Sequence, residues 1–254
     1  MRGMDEYINL SVENIEKEHI CCAIGDPKHQ NGVNSKKEWM KRKFTDGFVF
    51  RKLNARGKVF IQYEPIETAW VPINGKSYEY IYCLWVAGSY KGKGIAHELL
   101  TYAIDDAKEK GMSGICTLTS KKKKPFIGEK KFFVHYGFEV VDAVGEYELL
   151  ALRFDESEVP KFSDSVRAMS IPQEEFTVYY SPACPYVGYE VKELAEYAGE
   201  KQIPVRFVAV DTLEKAKNVP CIFNNWANFY KGEFVSNTIL NANSFEKLLG
   251  SEGK

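Results

Sequence analysis

Residues 82–100 read YCLWVAGSYKGKGIAHELL, and this stretch decides the fold. An apolar run, Ile81 to Val86, leads into the basic turn Lys91-Gly92-Lys93-Gly94-Ile95-Ala96, and apolar residues at helical spacing follow. The pattern predicts a strand, a tight turn and a helix. Small residues let the backbone approach an anion, and the free N–H groups of a helix start attract one, so the turn predicts a phosphate or pyrophosphate site.

Two common nucleotide motifs do not fit this turn. The P-loop pattern G-x-x-x-x-G-K-S/T is absent, which argues against a nucleotide triphosphatase. The dinucleotide pattern G-x-G-x-x-G also fails, because Gly92-Lys93-Gly94 is followed by no third glycine in register. A different phosphate ligand is therefore indicated.

The turn does match Gln/Arg-x-x-Gly-x-Gly/Ala, with Lys91 in the first position, then Gly94 and Ala96. It resembles the acyl-CoA turn of the GNAT N-acetyltransferase superfamily. Residues 131–138 (KFFVHYGF) resemble the short Gly-Phe helix of that family, and residues 113–119 resemble its splayed strand. The resemblance implies acetyl-CoA as co-substrate and transfer of its acetyl group to a small-molecule or peptide amine. It assigns these residues to cofactor binding: Leu84, Trp85, Val86, Lys91, Gly92, Lys93, Gly94, Ile95, Ala96 and Phe133.

Composition narrows the class of protein. The chain has 254 residues, 44% hydrophobic and 27% charged, with a net charge of −1, as in a globular protein with no general affinity for nucleic acid or membranes. No apolar run approaches the ~20 residues needed to span a bilayer, and residues 1–6 lack a signal-peptide core. A cytoplasmic protein is expected, and a homodimer stays open.

The six cysteines do not form a disulfide framework by spacing. Cys21, Cys22, Cys83 and Cys116 lie in apolar patterns, the first two in a helical one, and are interpreted as buried thiols. The spacing typical of a structural zinc site is absent from the sequence, so no metal is expected.

The order of patterns predicts an α/β (α+β) protein, a mixed sheet with helices on both faces followed by a smaller domain. We predict a first domain at 1–157, a polar linker at 158–172 and a second domain at 173–254. The predicted elements of the first domain are strands at 5–10, 47–53, 58–64, 78–86, 113–119, 138–143 and 146–154, and helices from Ser11, at 35–45, at 94–110 and at the Gly-Phe segment.

The second domain resembles the thioredoxin/glutaredoxin fold. Cys184-Pro185-Tyr186-Val187 stands where glutaredoxins carry C-P-Y-C, with Val187 in place of the second cysteine. Val219-Pro220 stands at that family's cis-proline position, a third strand is expected at 221–223, and a hairpin turn at 230–234. Both halves together resemble GNAT proteins with a YoaP-type C-terminal domain.

Acetyl transfer to an amine needs a proton acceptor and a donor for the departing thiolate. Glu64 and Glu67 are the candidate bases, with Glu79 as a further one, and each is equally consistent with a surface carboxylate. In many relatives a tyrosine supplies the acid, but its position is Phe133 here. Either Tyr136 or His135 substitutes, or CoA leaves without a protein acid.

Two further features carry alternative interpretations. Lys121 to Lys124 form a solvated loop or a clamp on an acidic ligand. Cys184 at a helix start predicts a thiol of lowered pKa, and a disulfide with Cys221 is a hypothesis. An alternative function is therefore an acyl-CoA-binding sensor or redox module acting through Cys184 without acetyl turnover.

Overall fold

The structure is a computed structural model, and it describes residues 7–251. The N-terminal part holds a seven-stranded sheet in the order β1-β2-β3-β5-β6-β8-β7. Its strands are β1 (Tyr7–Asn9), β2 (Val49–Leu53), β3 (Val59–Pro65), β5 (Tyr78–Val86), β6 (Gly114–Ser120), β7 (Glu139–Val144) and β8 (Tyr147–Arg153). Only β5 and β6 are parallel, so the sheet is mixed as predicted.

Helices cover both faces of this sheet, which confirms the predicted fold class. On one face lie α2 (Ile95–Glu109) and α3 (Lys130–His135), packed through Leu99, Ala103 and Phe133. The opposite face carries α1 (Gln30–Phe44), packed through Trp39 and Met40. The buried residues of α2 recur every three to four positions, the stripe by which a helix packs on a sheet.

The C-terminal part forms its own four-stranded sheet, in the order β11-β10-β12-β13. Its elements are β10 (Phe176–Tyr180), α4 (Val187–Glu200), β11 (Val205–Ala209), α5 (Leu213–Lys217), β12 (Trp226–Tyr230), β13 (Glu233–Ser236) and α6 (Ala242–Ser251). β10 and β11 are parallel, and the other pairs are antiparallel. The predicted hairpin turn is the two-residue connection between β12 and β13. The thioredoxin-like assignment of this part stays a prediction.

The predicted linker is packed against both parts. Lys161–Phe162 forms β9, which pairs with β4 (Ile73–Asn74), while Phe162 and Val166 are buried in the core of the N-terminal part. The Ile171 N–H then donates to the Gly232 carbonyl of the C-terminal part at 2.7 Å. The segment therefore joins the two parts.

Three local predictions are wrong. Residues 11–18 form turns because the Asn14 side chain bonds the Ser11 N–H and the Asn9 carbonyl, which competes with a helix. Cys21 and Cys22 are not helical, since Cys21 has a φ of 62°. α1 begins at Gln30, five residues before the predicted start. Residues 5 and 6 of the first predicted strand lie outside the described residues.

The second part differs from expectation at one segment. Residues 221–223 are not a strand, and the third strand of that sheet is Trp226–Tyr230. The apolar run of Cys221, Ile222 and Phe223 reflects burial and not a strand. Ile222 lies in the core of the N-terminal part. The Val219–Pro220 bond is trans.

Candidate active site

β5 and β6 separate halfway along their length and open a wedge in the sheet. They pair from Tyr78 and Gly114 to Ile81 and Thr117, and no further. β6 continues to pair with β8 up to Ser120, so β6 itself stays in the sheet. Residues 82–86 of β5 therefore present a backbone edge that β6 does not use.

A bulge in β5 lies where the wedge begins. Gln62 of β3 pairs with Cys83, and the next residue of β3, Tyr63, pairs with Ile81. Tyr82 is the extra residue, and such bulges redirect a side chain and bend the strand. The bulge thus places Tyr82 at the mouth of the wedge.

The wedge holds a groove of about 400 Å³. Its walls are the end of β5, the loop that follows β6 and the first turns of α2 and α3. The lining residues are Tyr82, Cys83, Leu84, Trp85, Val86, Ala96, Thr117, Lys123, Lys124, Pro125, Phe126, Ile127, Gly128, Glu129, Phe132 and Phe133. Of the predicted cofactor-binding residues, Leu84, Trp85, Val86, Ala96 and Phe133 are brought together here.

The remaining predicted cofactor residues form the turn at the head of α2. Gly94 is the N-cap with φ 78°, and a Cβ at Gly92 or at Gly94 would meet no atom within 4 Å. The first backbone bond of the helix runs from the Glu98 N–H to the Gly94 carbonyl, at 3.1 Å. The amides before Glu98 therefore face an open cradle beside the exposed lysines Lys91 and Lys93.

The basic run at 121–124, interpreted from sequence as a solvated loop or a clamp on an acidic ligand, is divided between two environments. Lys123 and Lys124 line the groove, whereas Lys121 donates to the Gly145 carbonyl at 2.9 Å and Lys122 lies 3.8 Å from Glu146. Half of the run therefore adds positive charge to the groove, and the other half is bound to the neighbouring turn.

Glu64 is buried and held by three donors. Lys43 Nζ lies 2.6 Å from its carboxylate, the Thr68 hydroxyl lies at 3.1 Å, and the Tyr82 hydroxyl donates a short hydrogen bond. Burial raises the pKa of Glu64 to about 7, against the lowering effect of Lys43, Tyr82 and Thr68. Glu64 does not line the groove, and Tyr82 connects it to the groove wall.

The other predicted catalytic residues lie elsewhere. Glu67 is exposed and accepts the Ser77 N–H at 2.7 Å, away from the groove. Glu79 lies five residues before Leu84, about 17 Å along the strand, and its carboxylate lies 3.2 Å from Lys110 Nζ at the end of α2. Tyr136 stacks on His97 of α2, with ring centroids 5.3 Å apart, and is not among the groove residues. Tyr82, which the sequence patterns did not single out, is the groove residue that carries a phenol.

A second cavity, here called the seam pocket, lies between the two parts of the chain and has a volume of about 350 Å³. It shares Tyr82, Cys83, Trp85 and Phe126 with the groove, so the two cavities meet at the end of β5. Its lining residues are Cys21, Cys22, Lys36, Lys58, Phe60, Gln62, Tyr82, Cys83, Trp85, Phe126, Ala183, Cys184, Pro185, Tyr186, Asn224, Asn225, Asn237 and Ile239.

The two redox candidates do not form a pair. Cys184 and Cys221 are both free; Cys184 lines the seam pocket, and Cys221 is fully buried in a different core cluster. Burial raises the pKa of Cys184 to about 11, which reverses the predicted direction because desolvation outweighs the nearby backbone N–H groups. Within residues 7–251, no three His, Cys, Asp or Glu side chains are placed to hold a metal ion.

Comparison with known proteins identifies the family. A relative from Bacillus subtilis (strain 168), described as an uncharacterized N-acetyltransferase YoaP, is 39% identical over 247 residues, which are 96% of this chain and 98% of the relative. The model of the Acetyltransferase (GNAT) family matches residues 19–138, and the YoaP-like model matches residues 204–247. The chain belongs to the GNAT family of acetyltransferases. This confirms the predicted resemblance, the enzyme class and acetyl-CoA as the family's co-substrate.

Solved structures similar to this GNAT chain extend over about three fifths of it. The PaiA N-acetyltransferase of Thermoplasma acidophilum, in complex with coenzyme A, is 17% identical, with a TM-score of 0.40, over 59% of this chain and 98% of that one. A GNAT family acetyltransferase of Brucella melitensis, in complex with acetyl-CoA, is 12% identical, with a TM-score of 0.40, over 62% and 92%. No helix within residues 7–251 is long and apolar enough to cross a membrane.

Proposed function

We propose that this protein transfers the acetyl group of acetyl-CoA to an amine and that the wedge between β5 and β6 holds the donor. One observation carries the proposal: the unpaired end of β5 runs through the groove directly into the anion cradle at the head of α2. A long thioester ligand with a pyrophosphate at its middle needs these two features in this order.

The residues present fit such a donor. The open cradle at Gly92 and Gly94 leaves room for phosphate oxygens, and the α2 amides with Lys91 and Lys93 supply donors and charge. The apolar walls of the groove suit the pantetheine arm. Acetyl-CoA supplies the acetyl group as a thioester, and the unused backbone N–H groups of residues 82–86 are donors for its carbonyl oxygen.

The acceptor amine must lose a proton, and we assign this proton to the pair of Glu64 and Tyr82. The Tyr82 hydroxyl accepts the Trp70 N–H at 2.6 Å and donates to Glu64, which leaves one oxygen lone pair for a further donor. A carboxyl with a pKa near 7 suits a proton acceptor at neutral pH. Tyr82 thus carries the proton from the groove side to the buried carboxylate.

Acetyl transfer is tested with acetyl-CoA and a panel of amines, by chromatographic measurement of free CoA and mass spectrometry of the N-acetyl product. Chromatography avoids thiol reagents, which would react with the cysteines of the chain. We expect CoA release that depends on the amine. Tight acetyl-CoA binding with no CoA release for any amine would instead favour the sensor alternative, which the raised pKa of Cys184 does not support as a redox device.

Two glycines at opposite ends of α2 give a matched pair of variants for the cradle. Gly94 and Gly111 have φ values of 78° and 69°, and a Cβ at either would meet no atom within 4 Å. Alanine at either position therefore costs a similar ~1–2 kcal/mol of backbone strain. Gly94→Ala should weaken acetyl-CoA binding at least about tenfold beyond Gly111→Ala, because only Gly94 faces the proposed pyrophosphate. Equal binding by the two variants would refute the cradle assignment.

The protein partner and location remain predictions. A cytoplasmic protein, free or as a homodimer, is consistent with the described chain, and the amine acceptor is a small molecule or a peptide.

A further inference from the structure

The seam pocket has walls from both parts of the chain. One wall comes from residues 21–22, α1, the first half of β3 and the end of β5. The other comes from residues 183–186, 224–225, 237 and 239. Trp85 and Phe126, which the pocket shares with the groove, are 41% and 50% exposed, unusual for such large apolar side chains. A ligand in the seam pocket would therefore cover aromatic surface next to the proposed acetyl group.

The charged side chains that line the seam pocket are all basic. Among the described residues that line it, Lys36 and Lys58 are basic and none is an aspartate or glutamate. The other polar side chains are amides, thiols and phenols, and five aromatic rings form much of the wall. This lining suits an apolar or aromatic body that carries a negative group.

Lys36 is the buried cation that gives the pocket its charge. Among the lysines that the structure describes, three are 3% exposed or less: Lys36, Lys43 and Lys52. Lys43 lies 2.6 Å from Glu64, and Lys52 lies 2.8 Å from Glu18. Among residues 7–251, Lys36 has no carboxylate partner within 4.0 Å; its Nζ donates to Gln62 Oε1 at 2.9 Å and lies 5.6 Å from the centre of the Phe50 ring.

The buried ammonium group of Lys36 has no counter-charge among the described residues to offset the cost of removing it from water. A buried charge is normally paired, because removal from water costs several kcal/mol that only a counter-charge and hydrogen bonds return. The ammonium has three N–H donors, and Gln62 accepts one of them. A bound anion would satisfy the others.

We propose that the seam pocket binds the acceptor of the acetyl transfer as an amine that carries a carboxylate, and that Lys36 pairs with this carboxylate. The acceptor is thus an amino acid or a close analogue with an apolar or aromatic side chain. This assignment rests on the proposed acetyl transfer and names its substrate class. Gln62 pairs across the sheet with Cys83, one residue from Leu84, so the Lys36 site lies about one strand spacing from the end of β5.

The first test compares acceptors that differ only in the carboxylate. Phenylalanine, methionine and leucine are assayed beside their amides and beside the amines that lack the carboxyl group, with CoA release as the readout. We expect kcat/KM at least about tenfold higher for the acids, the effect of one charge-assisted hydrogen bond. Basicity alone predicts the opposite order between acid and amide, because the amide's amine is the weaker base and is more often neutral.

The second test exchanges Lys36 for a side chain of similar length. Lys36→Met should abolish the preference for acids over amides and leave acetyl-CoA binding unchanged. Lys36→Arg, which keeps the charge, should retain part of the preference. Lys37→Met is the control, since Lys37 lies on the outer side of the same helix and donates to the Glu16 carbonyl at 3.3 Å. Thermal unfolding of all variants identifies any that do not fold.

The outcomes separate this inference from the acetyl transfer itself. If amides and simple amines react as well as the acids, or if Lys36→Met keeps the preference, acetyl transfer stands and the carboxylate site is wrong. If no amine releases CoA, titration calorimetry of phenylalanine into the CoA-loaded protein still decides. Binding that Lys36→Met removes would support the site, and no binding would overturn it.

Discussion

Gly32, in the first turn of α1, lies directly against the backbone of Pro185 in the C-terminal part. A Cβ at Gly32 would lie 1.8 Å from the Pro185 carbonyl oxygen and 2.7 Å from its carbon. Both are backbone atoms, so no flexible side chain can yield. Since real Cβ atoms keep at least 3.0 Å, Gly32→Ala requires α1 and residues 183–186 to move apart by about 1.2 Å.

The sign of the stability change distinguishes this contact from ordinary helix propensity. Alanine for glycine inside a helix normally stabilises by about 1 kcal/mol. The overlap at Pro185 costs about 1–3 kcal/mol, as in other overpacked cores. We therefore expect Gly32→Ala to lower the free energy of unfolding by up to about 2 kcal/mol. Gly199→Ala in α4, where a Cβ would meet nothing within 4 Å, should raise it by up to about 1 kcal/mol.

Urea unfolding followed by tryptophan fluorescence measures both variants. Kinetics give a second readout, because Pro185 and its neighbours line the seam pocket, whereas no described residue of the C-terminal part lines the groove. Gly32→Ala should raise the KM for the acceptor and leave the KM for acetyl-CoA unchanged. If Gly32→Ala stabilises as much as Gly199→Ala, the close approach of α1 and Pro185 is refuted.

Three further predictions concern titrating groups. Wild-type kcat/KM should rise with pH to a plateau with a midpoint near 7, and Glu64→Gln should remove this limb and lower the rate about 10²–10⁴-fold. Tyr82→Phe should also remove the rise of kcat/KM with pH, and Tyr80→Phe should keep it. If Glu64→Gln keeps the rise, Glu64 is not the proton acceptor. Burial raises the pKa of Glu79 to about 7 from 4.5, so the folded state binds the extra proton, and stability falls as pH rises through this window. Glu79→Gln should therefore gain about 2–3 kcal/mol relative to wild type between pH 4.5 and 8 in urea unfolding, and a constant difference would contradict the shift. Lys217 donates to two carbonyls of the N-terminal part at 2.6 and 2.8 Å, so Lys217→Met should cost about 2–4 kcal/mol; a loss below 0.5 kcal/mol would show that these bonds are not needed.

The groove and turn proposed to hold the donor were predictable from the sequence because their signals are local. The strand at 78–86, the turn and α2 follow one another along the chain, and each has its own pattern of apolar residues or glycine. Gly94 has a positive φ, which few residue types adopt, so the turn can be recognised from the sequence without tertiary information. The wedge followed from the family resemblance, since nothing in residues 113–119 alone states where pairing with β5 stops.

The proposed acceptor site was not predictable because it depends on contacts distant in sequence. The sequence predicted a helix at 35–45 and gave no role to its lysines, Lys36 and Lys43 among them. These two fall in the same helical stripe as Trp39 and Met40, and this spacing is the signal that could have shown their burial. Which of the two lysines has a carboxylate partner is decided by β3, from which Glu64 reaches Lys43.

The predicted catalytic residues differ in where they lie along their elements and in which direction their side chains face. Glu64 was singled out for its place near the end of β3. Its link to the groove passes through Tyr82, whose position at the mouth of the wedge depends on the β5 bulge. Glu67 lies in the loop beyond β3, where the alternation of a strand no longer fixes the direction of its side chain. Tyr136 ends α3 facing α2, whereas Phe132 and Phe133 face the groove.

The position of the C-terminal part argues for a role in acceptor choice. It is fixed to the GNAT part by Lys217, by the bond from Tyr147 to Asn237 at 3.0 Å, and by that from Asn224 to the Phe126 carbonyl at 2.5 Å. Asn224 and Asn237 themselves line the seam pocket, so the contacts that hold the domain also shape the cavity. Since no described residue of this part lines the groove proposed to hold the donor, changes in the part should alter acceptor preference and leave acetyl-CoA binding intact.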